Sequence, residues 1–287
     1  MGERRGLAAW RWLFILEGII SIVICGLCWL SFPNAPETAW FLSSEEKYVM
    51  EQRKLRDAVY KGDDKFEWRF AKEAVTDPFI YLASLAFFCS SIAIFGFGTF
   101  LPTIIEGLGY SAYQANYLSV PVYAFGAITL CITSYLSDKL NRRAIFLMVL
   151  PIPVIVGYLI SVGTSSAVAG YVGMFLCCGG IYSFNSTILT WVTINLVNEH
   201  TRSVGLGLFV SLGNLSGLVA SQLYPSAQGP RYVMGNAVSA GMEALALVVV
   251  VVIWWILKRK NRRLAGMSEE GDGCGEGDRT RGFVYAL

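Results

Sequence analysis

Seven apolar runs of about 20 residues dominate this chain, and short charged islands separate them. A helix of that length crosses a hydrocarbon core of roughly 30 Å. Helices and closed barrels satisfy their backbone groups in lipid, and runs this long and continuous are helical rather than alternating strands. With 54% hydrophobic residues and a mean hydropathy of +0.51, the chain is also too apolar for a water-soluble domain. The sequence therefore predicts an all-α, polytopic membrane helix bundle.

The positions of the runs predict four regions. Residues 1–32 form a lead-in and the first transmembrane helix, and 33–77 form a central cytoplasmic loop with amphipathic helices. Residues 78–263 form a six-helix membrane bundle, and 264–287 form a disordered cytoplasmic tail rich in glycine and charge. We place the seven spans at 13–32, 79–101, 114–136, 144–163, 168–194, 204–224 and 237–257.

The long polar segment carries two helix signals. Ser43 and Glu46 match a capping box, which predicts a helix from 45 to about 58. In 66–75, Phe66, Phe70 and Ala74 share one helical face. This second helix fits either the membrane interface or an ordinary linker helix.

Lysine and arginine alternate between connections and predict the orientation. The segment 34–77 has eight, 137–143 has three, and five follow within 258–263. The connections 102–113 and 164–167 have none, and 225–236 has one. The positive-inside rule then places the long loop and the C-terminus in the cytoplasm and the N-terminus outside. Arg4, Arg5 and Arg11 conflict with this arrangement.

Three spans carry polar or aromatic residues at helical spacing, as a transport path would require. The candidates for lining a substrate path are Ser84, Phe88, Ser91 and Phe95 in the second span, Ser183, Ser186, Thr187 and Thr190 in the fifth, and Ser211 and Asn214 in the sixth. Asn185 lies off the stripe of the fifth span. Small and hydroxyl residues also support close helix packing, as Gly213-x-x-x-Gly217 would, so packing remains the alternative for each stripe.

Two acids lie inside apolar runs. A charged group in a span is costly and marks either a functional site or a contact between helices. Glu17 and Glu243 are therefore candidates for proton coupling, with a structural contact between helices as the alternative.

Patterns for catalysis and metal binding are missing from the sequence. His200 is the single histidine, so no His-Glu-x-x-His zinc site is possible. The chain also lacks a Gly-x-Ser-x-Gly nucleophile elbow and a phosphate-binding loop, and Cys25-x-x-Cys28 lies at lipid depth. We expect no enzyme activity, no metal or other cofactor and no nucleic-acid partner. A seven-helix membrane receptor fits the helix count, although the long first cytoplasmic segment is unusual for one.

Several local motifs occur together in the order found in one transporter family. They include Trp10-Arg11-Trp12 with Glu17-Gly18, Phe32-Pro33 with Pro36-Glu37-Thr38-Ala39, Leu101-Pro102-Thr103 with Gly107-Leu108-Gly109-Tyr110-Ser111, Leu136-Ser137-Asp138, Gly213-Asn214-Leu215-Ser216-Gly217 and Pro230-Arg231-Tyr232. Across residues 7–263 the chain resembles fungal major facilitator superfamily transporters of the anion:cation symporter group, which includes allantoate and nicotinate permeases.

The resemblance implies twelve helices in two halves, with substrate bound near the midplane between them. This chain is similar to the sixth helix, the central loop and the second half. We expect the missing N-terminal half, about five helices, to be the partner in a complete transporter. The function implied is proton symport of a small organic anion (carboxylate, vitamin or ureide) through alternating access in the plasma membrane. A truncated gene product or a non-transporting, degraded paralogue is the alternative.

The turn 134–143 resembles the cytoplasmic hinge motif of the same superfamily. Asp138 matches the motif's acid, Arg142 and Arg143 match its basic residues, and Ser134 replaces its leading glycine. An acid beside arginines can form a charge-assisted latch that breaks when the bundle rocks. Alternatively, the basic residues simply hold the turn in the cytoplasm.

Overall fold

The computed structural model describes residues 9–57, 68–107, 109–164, 166–196, 199–225, 228, 232–269 and 285–286, and the regular structure among them is entirely helical. Within these described residues, seven helical segments are long and apolar enough to cross a membrane: 14–31, 78–99, 112–140, 143–163, 167–195, 199–220 and 233–265. Each overlaps one predicted span. The prediction of an all-α bundle with about seven spans is confirmed. The chain divides into two compact units, Met1–Lys61 and Gly62–Leu287.

The first unit contains α1 (Ala9–Ser31), a 3-10 turn (Pro36–Thr38) and α2 (Ser44–Asp57). The predicted capping box is present at the start of α2. The Ser43 N–H donates to Glu46 Oε2 at 2.9 Å, and the Glu46 N–H donates to Ser43 Oγ at 3.3 Å. Hydrogen bonds from Ser43, first from its backbone N–H and then from its hydroxyl, lower the pKa of the Glu46 carboxyl.

The second unit contains nine helical pieces within its described residues. They are α3 (Trp68–Thr76), α4 (Pro78–Gly107), α5 (Ala112–Leu140), α6 (Arg143–Val149), α7 (Pro151–Gly163), α8 (Ala167–Asn195), α9 (Glu199–Asn214), α10 (Ser216–Ala220) and α11 (Val233–Glu269). The pieces α6 and α7 form one span, and α9 and α10 form another. The unit therefore makes six candidate crossings.

The most buried spans of this unit are α4 and α8. The α8 helix packs on α5, α7, α4 and α6, while α11 packs on α4, α7 and α6. Glycine brings α7 and α8 together, since a Cβ on Gly157 would lie 2.5 Å from the Gly173 carbonyl oxygen. Two buried apolar clusters fill the interior: one includes Phe79 and Trp191, and the other includes Tyr158.

The short helix α3 packs against α9. Ala74 is fully buried, and the Phe70 ring stacks on His200 with 5.9 Å between ring centroids. This face of α3 therefore contacts protein instead of lying free for an interface role. Phe66, predicted to share the same face, lies outside the described residues.

The region predicted as a disordered tail differs in two places from that expectation. The α11 helix continues to Glu269, and Tyr285 and Ala286 pack back onto the bundle. Residues 270–284 and 287 lie outside the described residues.

Candidate functional site

A chain of hydrogen bonds links three helices inside the second unit. Ser91 Oγ on α4 donates to Asn185 Oδ1 on α8 at 3.0 Å. Asn185 Nδ2 donates to Ser90 Oγ at 2.8 Å, and Ser90 Oγ donates to Glu243 Oε1 on α11 at 2.8 Å. Two successive serines of α4 thus bond to two different helices through one amide and one carboxyl group.

The carboxyl group at the end of this chain is deeply buried. Glu243 and Ser90 are both 0% exposed. Among the described residues, Glu243 Oε2 is buried without a hydrogen-bond partner, although Oε1 has Ser90. Burying a carboxyl group inside a span is costly, and only one of the two oxygens of Glu243 has a described hydrogen-bond partner. Its free oxygen can accept a proton or meet a donor from a ligand.

Small residues on α4 allow the neighbouring helix to approach. Ala83, Ala86, Ser90 and Ala93 recur at three- and four-residue spacing, and all are 0% exposed. Interfaces lined by small residues let helix backbones come close inside membranes. Ser90 on this face reaches α11 through its hydrogen bond to Glu243.

The α11 helix carries further polar groups on the face of Glu243. Asn236, Ser239 and Glu243 recur at helical spacing and are all buried. The Tyr224 hydroxyl lies 3.3 Å from Ser239 Oγ and 3.5 Å from Asn236 Oδ1, to which it donates. One face of α11 thus presents an amide, a hydroxyl and a carboxyl to the interior.

Hydroxyl groups in the predicted stripes mostly bond within their own helices. Ser84, Thr187 and Thr190 donate to the carbonyl oxygen four residues earlier, at 2.7, 2.7 and 3.0 Å. Ser91 bonds to a neighbouring helix. Ser183 is fully buried, and no partner of its hydroxyl is found among the described residues. A hydroxyl group that bonds to the backbone of its own helix is satisfied without a ligand. The stripes of the second and fifth spans are therefore compatible with a substrate path and with helix packing.

Aromatic rings of α4 lie over glycines of α9 and α10. A Cβ on Gly213 would collide with the Phe87 ring, and one on Gly217 would lie 3.7 Å from Phe95. Ser211 and Asn214 on the same segment are exposed, and Phe88 is half-buried. The contacts of Gly213 with Phe87 and of Gly217 with Phe95 show that the two glycines pack against α4.

The hinge predicted from the sequence is a tight turn between α5 and α6. Asn141 adopts the left-handed conformation, with φ 49° and ψ 37°, and its N–H donates to the Asp138 carbonyl. Asn tolerates this conformation better than most residues. The Arg143 guanidinium forms an ion pair with the Asp138 carboxylate, while Arg142 is exposed. The acid and one predicted arginine therefore meet, within a single turn.

Sequence reasoning missed the residue at the centre of the buried network. Asn185 lies off the hydroxyl stripe of the fifth span, yet its amide joins Ser90 and Ser91. The signal in the sequence is an amide side chain in the middle of an apolar span, and the structure buries it to 8% exposure. Glu243 belongs to this network, whereas Glu17 is exposed on α1 within its own unit.

Comparisons with known proteins agree with this architecture. A family model described as Major Facilitator Superfamily matches residues 5–221. An uncharacterized transporter of Schizosaccharomyces pombe is 34% identical over 289 residues, covering 100% of this chain and 57% of that protein. A high-affinity nicotinic acid transporter of Saccharomyces cerevisiae is 28% identical over 270 residues, covering 94% of this chain and 51% of that protein.

A solved structure shares the fold. The crystal structure of a peptide transporter in complex with sulfate aligns with a TM-score of 0.51 and 17% identity, covering 60% of this chain and 37% of that one. The chain spans about half the length of the curated relatives that it matches. Because the family model covers well over half of the chain, the protein belongs to the Major Facilitator Superfamily.

Proposed function

We propose that this chain forms part of a transporter that moves a small organic anion across a membrane together with a proton, by alternating access. Family membership supports transport in general. A relative whose name specifies nicotinic acid, a small carboxylate, favours an organic anion. The same membership disfavours the seven-helix receptor as an alternative.

One observation carries the proton-coupling part of the proposal. Glu243 is fully buried, receives one hydroxyl hydrogen bond and keeps a second oxygen without a described partner. A proton on Oε2 neutralises the carboxyl group while Ser90 keeps its bond to Oε1. A neutral network costs less to hold in a low-dielectric interior than a charged one. Protonation would therefore stabilise the arrangement of α4, α8 and α11 in which Glu243 is buried beside Ser90.

The neighbouring groups have supporting roles in this proposal. Asn185 holds Ser90 with its hydroxyl directed at the carboxyl group, and Ser91 fixes the amide from the other side. The stripe residues Ser183 and Ser186 are candidates for the substrate path, while Glu17 is a further candidate for proton coupling. The first half of a complete transporter would supply the other wall of the path, as its relatives' greater length suggests.

A substitution at Glu243 tests the proposal. The chain is joined to the N-terminal half of a full-length relative and reconstituted in proteoliposomes, and uptake of radiolabelled nicotinate is measured with and without an inward proton gradient. In Glu243→Gln the amide oxygen still accepts from Ser90, but the side chain carries no exchangeable acidic proton. We expect the proton gradient to increase uptake by the joined wild-type protein several-fold, and this increase to be lost in the variant while counterflow exchange persists.

Glu106→Gln is the matched control, because it neutralises an exposed carboxylate of α4. It should leave gradient-driven uptake unchanged. Wild-type uptake that ignores the gradient would contradict proton symport. Absence of uptake for nicotinate and related carboxylates under every condition would favour the alternative of a non-transporting paralogue.

A further inference from the structure

The residues Tyr285 and Ala286, which we call the strap, dock onto the ends of two helices. Asn261 on α11 pairs with Tyr285 in both directions. Its Nδ2 donates to the Tyr285 carbonyl at 2.9 Å, and its Oδ1 accepts from the Tyr285 N–H at 2.9 Å. An asparagine amide presents a donor and an acceptor side by side, so it can pair with a peptide unit as a neighbouring strand does.

A second anchor lies on α8. Asn195 Oδ1 accepts from the Ala286 N–H at 2.9 Å, and its Nδ2 lies 3.4 Å from the Ala286 carbonyl oxygen. Trp191 Nε1 donates to the same carbonyl at 2.8 Å. Both backbone polar pairs of the strap are thus satisfied by side chains of the bundle.

The tyrosine side chain adds an apolar anchor. Tyr285 is 5% exposed and belongs to the same buried cluster as Phe79 and Trp191. Lys260 Nζ lies 5.1 Å from the centre of its ring, a cation–π distance. Hydrogen bonds fix the register of the strap, and ring burial supplies apolar contact area.

The strap joins α8 and α11, which pack on the same neighbouring helices. Both α8 and α11 pack on α4, α6 and α7. Deeper in the bundle, they are linked through Ser90 by way of Asn185 and Glu243. The strap adds a direct hydrogen-bonded bridge at one end of the same two helices.

We propose that the strap is a clamp: Tyr285 and Ala286 hold the ends of α8 and α11 together, and they must undock before the bundle can open at this end. Separating these ends would break the bonds to Asn261 or those to Asn195 and Trp191. Undocking would also expose the Tyr285 ring. The docked segment therefore favours the closed arrangement of this end.

Hydrogen exchange tests whether the strap docks. The full chain in lipid nanodiscs is exchanged into deuterated buffer, and the peptide containing Tyr285 and Ala286 is followed by mass spectrometry. Both amide groups are hydrogen-bonded, so we expect exchange slower than in a free peptide by at least about tenfold. Asn261→Leu should restore fast exchange, whereas the exposed Asn214→Leu should not. Fast exchange in the wild-type chain would overturn the proposal.

Distance measurements test whether docking clamps the helices. With Cys25, Cys28, Cys131 and Cys274 replaced by serine, spin labels at Ile194→Cys on α8 and Arg263→Cys on α11 report the separation of the helix ends. We expect a narrow distance distribution that broadens toward longer distances when Asn261→Leu is added. A second label pair on α4 and α5 should stay unchanged and thereby confirm folding. An unchanged α8–α11 distribution in a variant whose strap exchanges freely would refute the clamp.

Neither measurement depends on transport. Failure of the strap proposal is thus distinct from failure of the proposed function.

Discussion

At the residue scale, one buried amide group joins two helices inside the second unit. Asn185 uses its oxygen for Ser91 and its nitrogen for Ser90, and the nitrogen also donates to the Ile181 carbonyl at 3.1 Å. Lipid offers no replacement partners for groups left unpaired in a span. The amide therefore links α4 to α8 and helps to hold the Ser90 hydroxyl beside Glu243.

Replacing this amide should destabilise the bundle. In Asn185→Leu the branched shape is kept, although the side chain is larger, and Ser90 and Ser91 lose a shared partner, so we expect a loss of about 1–2 kcal/mol. Thermal unfolding in detergent measures the change. Thr190→Val is the control because Thr190 is exposed and bonds within its own helix, and it should change stability by less than about 0.5 kcal/mol. Equal losses in both variants would contradict the network.

The sequence indicated only part of this site. Ser91 and Glu243 could be predicted as site residues because helical spacing and an acid inside an apolar run can be recognised in the sequence alone. Asn185 could not be paired with Ser90, since the rotation of α8 against α4 depends on packing between distant segments. The hydroxyl stripes were ambiguous for a physical reason: serine and threonine can satisfy themselves on their own helix, as Thr187 does.

At the element scale, α7 and α8 meet backbone to backbone. A Cβ on Gly173 would lie 2.8 Å from the Gly157 carbonyl oxygen, and a Cβ on Gly157 would lie 2.5 Å from that of Gly173. Backbone atoms cannot rotate away as a side chain can. The two glycines therefore set the separation of these helices.

A methyl group at this contact should force the helices apart. We expect Gly157→Ala to cost about 1–3 kcal/mol through overpacking, despite the higher helix propensity of alanine. Gly163→Ala makes the same chemical change near the end of α7, where nothing lies within 4 Å of the added carbon. Comparing their unfolding midpoints isolates the contact. A Gly157→Ala variant as stable as Gly163→Ala would show that the helices can separate freely.

The stability that the capping box gives to α2 should depend on pH. The pKa of the Glu46 carboxyl is lowered from its ordinary value of 4.5 because the charged form accepts hydrogen bonds from Ser43. The cap therefore stabilises the helix fully above pH 4.5 and loses this contribution as the pH falls through the lowered pKa. Carbon-detected NMR of labelled protein should show the Glu46 pKa rising toward 4.5 in Ser43→Ala. An unchanged titration would mean that Ser43 does not hold the carboxylate.

The sequence predicts which helices exist better than it predicts where each helix begins and ends. Seven long apolar runs cannot avoid forming helices in lipid, so all seven spans were predictable. The break at Leu150 follows from Pro151, which begins α7 and cannot donate a backbone hydrogen bond to α6. The length of α11 beyond 263 was missed because charged residues continue a helix as readily as they end a span.

At the scale of the whole molecule, the second unit has one charged end. The α5–α6 turn 137–143 carries three lysine or arginine residues, the end of α11 carries five within 258–263, and the start of α9 carries Arg202. The opposite connections, 102–113 and 164–167, carry no lysine or arginine. This asymmetry is the pattern of the positive-inside rule.

We therefore expect the charged end, including the end of α11, to face the cytoplasm. Two exposed positions at opposite ends report this: Tyr113, at the start of α5, and Arg262, near the end of α11. With Cys25, Cys28, Cys131 and Cys274 replaced by serine, Tyr113→Cys should react with a membrane-impermeant maleimide in intact cells. Arg262→Cys should react only after permeabilisation. The reverse labelling pattern would mean that Arg4, Arg5 and Arg11, of which Arg4 and Arg5 lie outside the described residues, outweigh the later basic connections.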